Sequence, residues 1–195
     1  ILCGKFHCDN VGFHIGHDLV TIDFNARLTP EDVLEVERLA NRYVWEDHPI
    51  DISFPSPDQL EALDYRSKKA LTGQVRIVAW PGADCCACCG THVRSSGQVG
   101  MIKLVSCQNF REGVRIELAA GGRALDWSNR ISRQNTLVSQ LLSAKPDATA
   151  AAVERLQKEL YALHGRVSAL EEEDFARKAA QYAGAGDVLL LEPPM

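Results

Sequence analysis

Val99-Gly100-Met101-Ile102-Lys103-Leu104-Val105-Ser106-Cys107-Gln108-Asn109, then Arg111-Glu112-Gly113, then Val114-Arg115-Ile116-Glu117-Leu118-Ala119 is the stretch that decides the fold. It reads as two strands, 99–109 and 114–119, joined through a connection too short for anything but an antiparallel pair. Upstream, Leu19-Val20-Thr21-Ile22-Asp23-Phe24 places Val20, Ile22 and Phe24 on one face at period two, the pattern of a half-buried strand. Ile50-Asp51-Ile52-Ser53-Phe54 alternates in the same way, and Val75 to Trp80 reads as a further strand. Helices lie among these strands. Thr29 can cap a helix opening at Pro30, with Glu31 and Asp32 in its first turn, and Val33, Val36, Leu39, Ala40, Tyr43 and Val44 follow at helical spacing toward an end near Asp47-His48-Pro49. Residues Asp58 to Lys69 read as a second, weakly amphipathic helix. Strands mixed with helices, rather than regularly alternating with them, predict an α+β fold: an antiparallel sheet with flanking helices.

Beyond Gly121-Gly122 the character changes to helix, from Ala124 to about Tyr182, broken at Ala144-Lys145-Pro146-Asp147, where Asp147 is placed to cap the second helix. That second helix carries Val153, Leu156, Leu160, Leu163, Val167 and Leu170 at alternating spacings of three and four, a heptad seam that predicts a packed helix pair or a coiled-coil arm. Gly184-Ala185-Gly186 then leads into a short strand, Val188 to Leu191. The expected organisation is a core over residues 1–123, a helical coiled-coil-like arm over 124–183, and the start of a further domain over 184–195.

The 195 residues are 46% hydrophobic and 24% charged, with a formal net charge of −5, which excludes disordered and collagen-like chains. Unbroken apolar runs stay far below the roughly 20 residues of a membrane-spanning helix, so a soluble protein without a membrane partner is expected. The chain opens at Ile1 without the basic flank and apolar core of a signal peptide, reads as a piece starting mid-domain, and is expected in the cytoplasm. Charge is unevenly placed: residues 1–91 hold 8 basic and 14 acidic side chains, residues 92–145 hold 8 and 3, and residues 146–195 hold 5 and 9. An acidic chain can still bind RNA if Arg94, Lys103, Arg111, Arg115, Arg123, Arg130 and Arg133 collect on one surface, since screening makes local charge count for more than the total; scattered solvated charge is the alternative.

Seven cysteines are present, four of them crowded at Cys85, Cys86, Cys88 and Cys89, too close together for a disulfide framework. Reduced thiols or metal ligands are the better reading. Within Asp84-Cys85-Cys86-Ala87-Cys88-Cys89-Gly90-Thr91-His92-Val93, the Cys88 thiolate and the His92 imidazole sit four apart, a spacing that lets one turn bring both to a zinc ion at about 2.0–2.3 Å. Two ligands are half a site. A structural zinc ribbon needs a second Cys-x-x-Cys pair, which the chain lacks. Cys85, Cys86 and Cys89 are readable as small buried hydrophobes. A redox motif at Cys85-x-x-Cys88 lacks its usual strand-to-helix setting.

Cys88-Cys89-Gly90-Thr91-His92-Val93, Ser96-Gly97-Gln98-Val99-Gly100-Met101-Ile102-Lys103 and Gly113-Val114-Arg115-Ile116-Glu117, in that order, resemble the second half of the alanyl-tRNA synthetase editing domain and its freestanding AlaX-type relatives. Gly12-Phe13-His14-Ile15-Gly16 with Val20 to Phe24, and then Thr29 to Tyr43, resemble earlier parts of the same domain, so the likeness covers roughly residues 1–123. The doubled Cys85-Cys86 is more similar to the long freestanding proteins than to the synthetase.

The resemblance implies a zinc ion held by four ligands, two of them Cys88 and His92 here and two from a His-x-x-x-His motif expected upstream of Ile1. His7, His14 and His17 are the nearest histidines in the chain, with His14 and His17 better suited to lining a pocket or the surface. It also implies Ser96-Gly97-Gln98 where the family usually carries Thr-Gly-Glu, so one carboxylate is lost. The candidate catalytic residues it points to are Thr91, whose hydroxyl neighbours His92, His14, and Gly97, whose bare backbone would admit a terminal adenosine; turn geometry is the plainer role of Thr91 and Gly97. The activity implied is hydrolysis of the ester joining a wrong amino acid, serine or glycine, to alanine-specific tRNA. A pocket built for alanine excludes an added hydroxyl poorly, whereas a second site that hydrogen-bonds that hydroxyl selects it for hydrolysis. A noncatalytic zinc-stabilised RNA- or protein-binding module is the competing reading, and a homodimer through the C-terminal helices is a further expectation.

Overall fold

The computed structural model describes residues 1–67 and 73–184. Two compact units divide between Arg130 and Ile131. The first opens with the one-turn helix α1 (Leu2–Phe6) and the hairpin β1 (Asn10–Ile15) and β2 (Val20–Phe24), followed by the long helix α2 (Pro30–Trp45). Next come β3 (Asp51–Ser53), α3 (Pro57–Glu61), β4 (Ile77–Trp80), β5 (Asp84–Ala87), a 3₁₀ turn at Ser96–Val99, β6 (Ile102–Phe110) and β7 (Gly113–Ala120). Helix α4 (Gly122–Leu141) leads from the first unit into the second, where α5 (Thr149–Gln181) follows.

The α+β class with antiparallel strands and flanking helices stands as the sequence predicts, but the strands form two sheets rather than one: β1-β2-β7-β6 and β3-β4-β5. In the four-stranded sheet, Ile22 lies opposite Ile116 and Phe24 opposite Val114. Period two therefore sends these side chains to one face, where Phe24, Val114 and Ile116 are buried with Cys8 and receive Leu2 and Phe6 from α1. Full burial of a side chain such as Ile116 is worth roughly 1.5–3 kcal/mol. On the opposite face Asp23 and Arg115, also in register, form a two-pronged ion pair at 2.7 and 2.8 Å. The Arg115 bonds hold the Asp23 carboxyl below its ordinary range. A side chain at Gly113 would meet the Phe24 carbonyl oxygen at 2.0 Å, so glycine is what lets β7 start against β2.

Helix α2 begins as read: the Thr29 hydroxyl accepts from the Asp32 amide, and the Asp32 carboxylate accepts from the Thr29 amide at 2.9 Å, closing a capping box ahead of Pro30. Its inner face does more than bury Val36 and Val44. β6 is an edge of its sheet, and α2 satisfies that edge. Buried Asn41 accepts from the Ile102 amide at 2.8 Å and donates to the Ile102 carbonyl at 2.7 Å, and Glu37 accepts from the Leu104 amide and the Lys103 ammonium. A side-chain amide thus takes the place of a neighbouring strand and protects the edge from pairing elsewhere.

Two strands unread in the sequence are added, and two readings from it are corrected. Residues 10–15 form a full strand, β1, although Val11, Phe13 and Ile15 remain more than half exposed; the strand is fixed by its ladder to β2, not by burial. The cysteine segment is likewise a strand, β5, paired to β4 with Cys86 opposite Val78 and Cys85 opposite Ala79. The helix expected over Asp58–Lys69 stops at Glu61 despite its Ser56/Gln59 capping box, because Arg66 enters a bridge with Cys86, its amide donating to the Cys85 carbonyl at 2.9 Å. Lys68 and Lys69, at the end of that expectation, lie outside the described residues. Finally, α5 is capped by Ala148 without a side-chain bond, not by Asp147; Asn135 instead links the two helices of that unit, donating to the Pro146 carbonyl and accepting from the Thr149 hydroxyl.

In the second unit every residue of the heptad seam is at least 39% exposed, so the seam marks an apolar stripe along α5 rather than a core. The strand expected at Val188–Leu191 and most of the segment 184–195 lie outside the described residues. No helix among the described residues is long and apolar enough to cross a membrane.

Candidate functional site

The site grows from the β4–β5 hairpin. Ile77 and Val78 are essentially fully buried and anchor β4, and the ladder from Ile77–Ala87 to Trp80–Asp84 fixes where β5 ends and the loop 88–95 begins. Arg76 then ties that loop down. Its carbonyl accepts from the Cys88 amide at 3.1 Å, and its guanidinium donates to the Cys88 carbonyl at 2.6 Å and the Gly90 carbonyl at 2.9 Å. The reading of motifs missed Arg76, because nothing local marks a residue twelve positions away as a clamp. Its place immediately before a buried strand that pairs with the cysteine strand is the only signal.

Inside the clamped loop the Cys88 thiol and the His92 ring both lie beside Gly90. A Cβ added at Gly90 would stand 3.6 Å from Cys88 Sγ and 4.0 Å from His92 Cε1. His92 Nδ1 lies 3.0 Å from the Gly90 carbonyl oxygen. A carbonyl only accepts, so Nδ1 carries the proton in that bond, and in the neutral ring the lone pair then sits on Nε2, the arrangement that suits an imidazole to metal ligation. Thiolate sulfur and imidazole nitrogen are a donor pair suited to zinc. By donor type, Cys88 and His92 would supply two of the four positions of a zinc shell. Among the described residues no three His, Cys, Asp or Glu side chains gather as a metal-holding group.

The other cysteines of the cluster differ from Cys88. Cys85 and Cys86 project to opposite faces of β5, and their thiols are pushed above the ordinary range, first by burial and then by the Asp84 carboxylate. A raised thiol is a poor redox nucleophile, which weighs against chemistry at Cys85-x-x-Cys88. Asp84 itself is held by the Arg66 guanidinium.

Downstream, the segment 94–97 is knitted to the end of α2. The Ile50 amide donates to the Arg94 carbonyl at 3.0 Å, and the Ser96 amide to the His48 carbonyl at 2.8 Å. The fully buried Ser96 hydroxyl donates to the Tyr43 carbonyl at 2.8 Å and accepts from the His48 amide at 2.9 Å. Asp47, at φ 54° in the left-handed region, accepts from the Gly97 amide at 2.9 Å, and bonds from Ser95 and Gly97 hold its carboxyl below the usual range. A Cβ at Gly97 would lie 2.3 Å from Asp47 Oδ1. The bare backbone of Gly97 is thus filled by Asp47. Thr91 is exposed in the 88–95 loop beside His92. His14 is exposed on β1, opposite Thr21 in the four-stranded sheet, and joins no metal-holding group with Cys88 and His92.

Residues 75–117, which span β4, β5, the Cys88–His92 loop and β6, match the family described as the threonyl and alanyl tRNA synthetase second additional domain. That segment is similar to a synthetase accessory domain. Alanine--tRNA ligases give the match its direction. The protein of that name from Methanothermobacter thermautotrophicus is 32% identical over 151 residues, 75% of this chain and 17% of the relative. That from Methanobrevibacter smithii is 33% identical over 132 residues, 65% of this chain and 14% of the relative. That from Halorubrum lacusprofundi is 29% identical over 189 residues, 93% of this chain and 20% of the relative. The chain spans about a fifth or less of the length of these relatives, and it is related to a part of the alanine--tRNA ligases that includes this second additional domain.

Proposed function

We propose that the chain serves alanyl-tRNA editing, hydrolysing the ester that joins a mischarged serine or glycine to alanine-specific tRNA, with zinc held in part by Cys88 and His92. The observation that carries this reading is the clamped loop, in which the Cys88 sulfur and the His92 ring lie on either side of Gly90 in sequence and close to it in space, inside the segment that matches the synthetase domain. When bound, zinc supplies a positive charge that polarises an ester carbonyl or a water. The chain's own residues do the positioning. Arg76 holds the Cys88 and Gly90 carbonyls so that the ligands keep their direction, and the Gly90 carbonyl fixes the His92 tautomer. Thr91 brings a hydroxyl to the exposed side of the same loop, placed to hydrogen-bond a seryl hydroxyl. Transfer RNA is the partner of this reading, and the cytoplasm its compartment.

The test pairs metal content with hydrolysis. A longer chain that carries the expected His-x-x-x-His upstream of Ile1 is expected to bind zinc and to deacylate seryl-tRNA specific for alanine, and in it Cys88→Ala and His92→Ala are expected to lose at least about 100-fold in rate together with the metal. Zinc binding with hydrolysis at the uncatalysed rate overturns the enzyme reading in favour of a metal-stabilised binding module.

A further inference from the structure

A row of four aromatic rings leads away from the candidate site. The His92 ring meets the Trp80 indole edge-on, with centroids 6.5 Å apart and planes at 64°. Trp80 in turn lies 6.4 Å from the Tyr43 ring at 39°, and Tyr43 stacks on His48 at 4.5 Å and 26°. All four are half-buried rather than sealed in the core. The row is held from both ends. The Tyr43 hydroxyl donates to the Pro81 carbonyl at 2.9 Å, pinning α2 to the end of β4, and His48 is fixed by Glu46 at 2.8 Å and by the Ser96 hydroxyl at its amide. Tyr43 and His48 already use a face on each other. Neither Trp80 nor His92 has a parallel neighbour in the row, and of the two the Trp80 indole offers the larger ring face.

A rigid, half-exposed line of π surfaces that starts at a reactive site has a recognised use: unpaired bases stack on such rings at about 1–3 kcal/mol each, without regard to sequence. We propose that Trp80, backed by Tyr43 and His48, is a stacking platform for the unpaired bases at an RNA 3′ end. The last ribose and its ester are thereby brought to Cys88 and His92. This inference rests on the RNA-directed reading above and adds to it the element that seats the nucleic acid. Packing of α2 against β4 explains why the rings touch one another. It does not explain why a large indole beside His92 stays partly exposed.

The experiment measures binding of the full chain to a short single-stranded oligoribonucleotide and to an abasic sugar–phosphate counterpart of equal length. Trp80→Leu keeps apolar bulk without a π face, and Trp80→Phe keeps a smaller ring; thermal melts confirm that each variant is folded. Trp80→Leu is expected to weaken the oligoribonucleotide about tenfold and to leave the abasic strand within about twofold, with Trp80→Phe retaining most of the affinity. Equal loss with Leu and Phe, equal loss for both strands, or no loss overturns the platform while the editing reading stands. An unaltered chain that binds neither strand overturns both.

Discussion

The two sheets of the first unit are built on opposite plans. The four-stranded sheet buries an apolar face on Phe24, Val114 and Ile116 and braces its other face with the Asp23–Arg115 pair, so its stability lies in packing and register. The three-stranded sheet has one well-buried strand, β4, and puts its remaining hydrogen-bonding capacity into holding a loop: Arg76 on Cys88 and Gly90, and Arg66 on Cys85, Ala87 and Asp84. The first plan makes a scaffold that tolerates an exposed edge strand. The second makes a positioned loop with little core beneath it. A site that must admit a large substrate belongs on the second plan, because side chains committed to a core cannot also face a ligand.

The sharpest way to break this contrast is to remove packing from the scaffold. Ile116→Ala is expected to cost about 2–5 kcal/mol, read as a fall in the urea midpoint, while zinc stoichiometry of the folded fraction stays unchanged. Equal loss of metal would show that the two sheets are not separable in this way. Gly97→Ala comes next, at about 1–3 kcal/mol, since the new methyl must displace Asp47, which shares that space. Its thermal midpoint checks this, and an Asp47→Ala background should absorb most of the effect.

Arg76→Gln probes the second plan directly. Zinc affinity by competition titration is expected to weaken about 10-fold, with the unfolding midpoint almost unmoved. A large drop in stability with intact affinity would make Arg76 part of the scaffold instead. The smallest effect expected is in acid. Asp23 is held below its unfolded value of about 3.9 by Arg115, so its contribution is present above that value and fades as pH falls through the lower folded value. Arg115→Met should therefore flatten the acid limb of a stability–pH curve below about pH 4 and leave the neutral region nearly level.

What was legible in the sequence depended on how local its cause was. Helix α2 could be read from Thr29, Pro30 and Asp32 because a capping box is completed within four residues. The β6–β7 pair could be read because the turn between them leaves one way to fold back. β1 could not, since Val11, Phe13 and Ile15 stay exposed and the strand exists through its bonds to β2. β5 was hidden by its composition, Asp84-Cys85-Cys86-Ala87 giving no alternation of apolar and polar residues to see. At the site, the Cys88–His92 spacing was visible. Arg76, Ser96 against Tyr43, and Asp47 against Gly97 were not, because each joins residues between twelve and fifty-three positions apart.

By itself the sequence determined the α+β class, the capped helix and the hairpin, and it displayed the four-residue spacing of one thiol and one imidazole, since propensity, periodicity and spacing act over a few residues. The tertiary structure alone decided that there are two sheets, that the cysteines form a strand, and that a guanidinium, a row of rings and the end of α2 surround the loop. Those contacts depend on which strands find each other, and strand pairing is settled by the burial and hydrogen bonding of the whole chain.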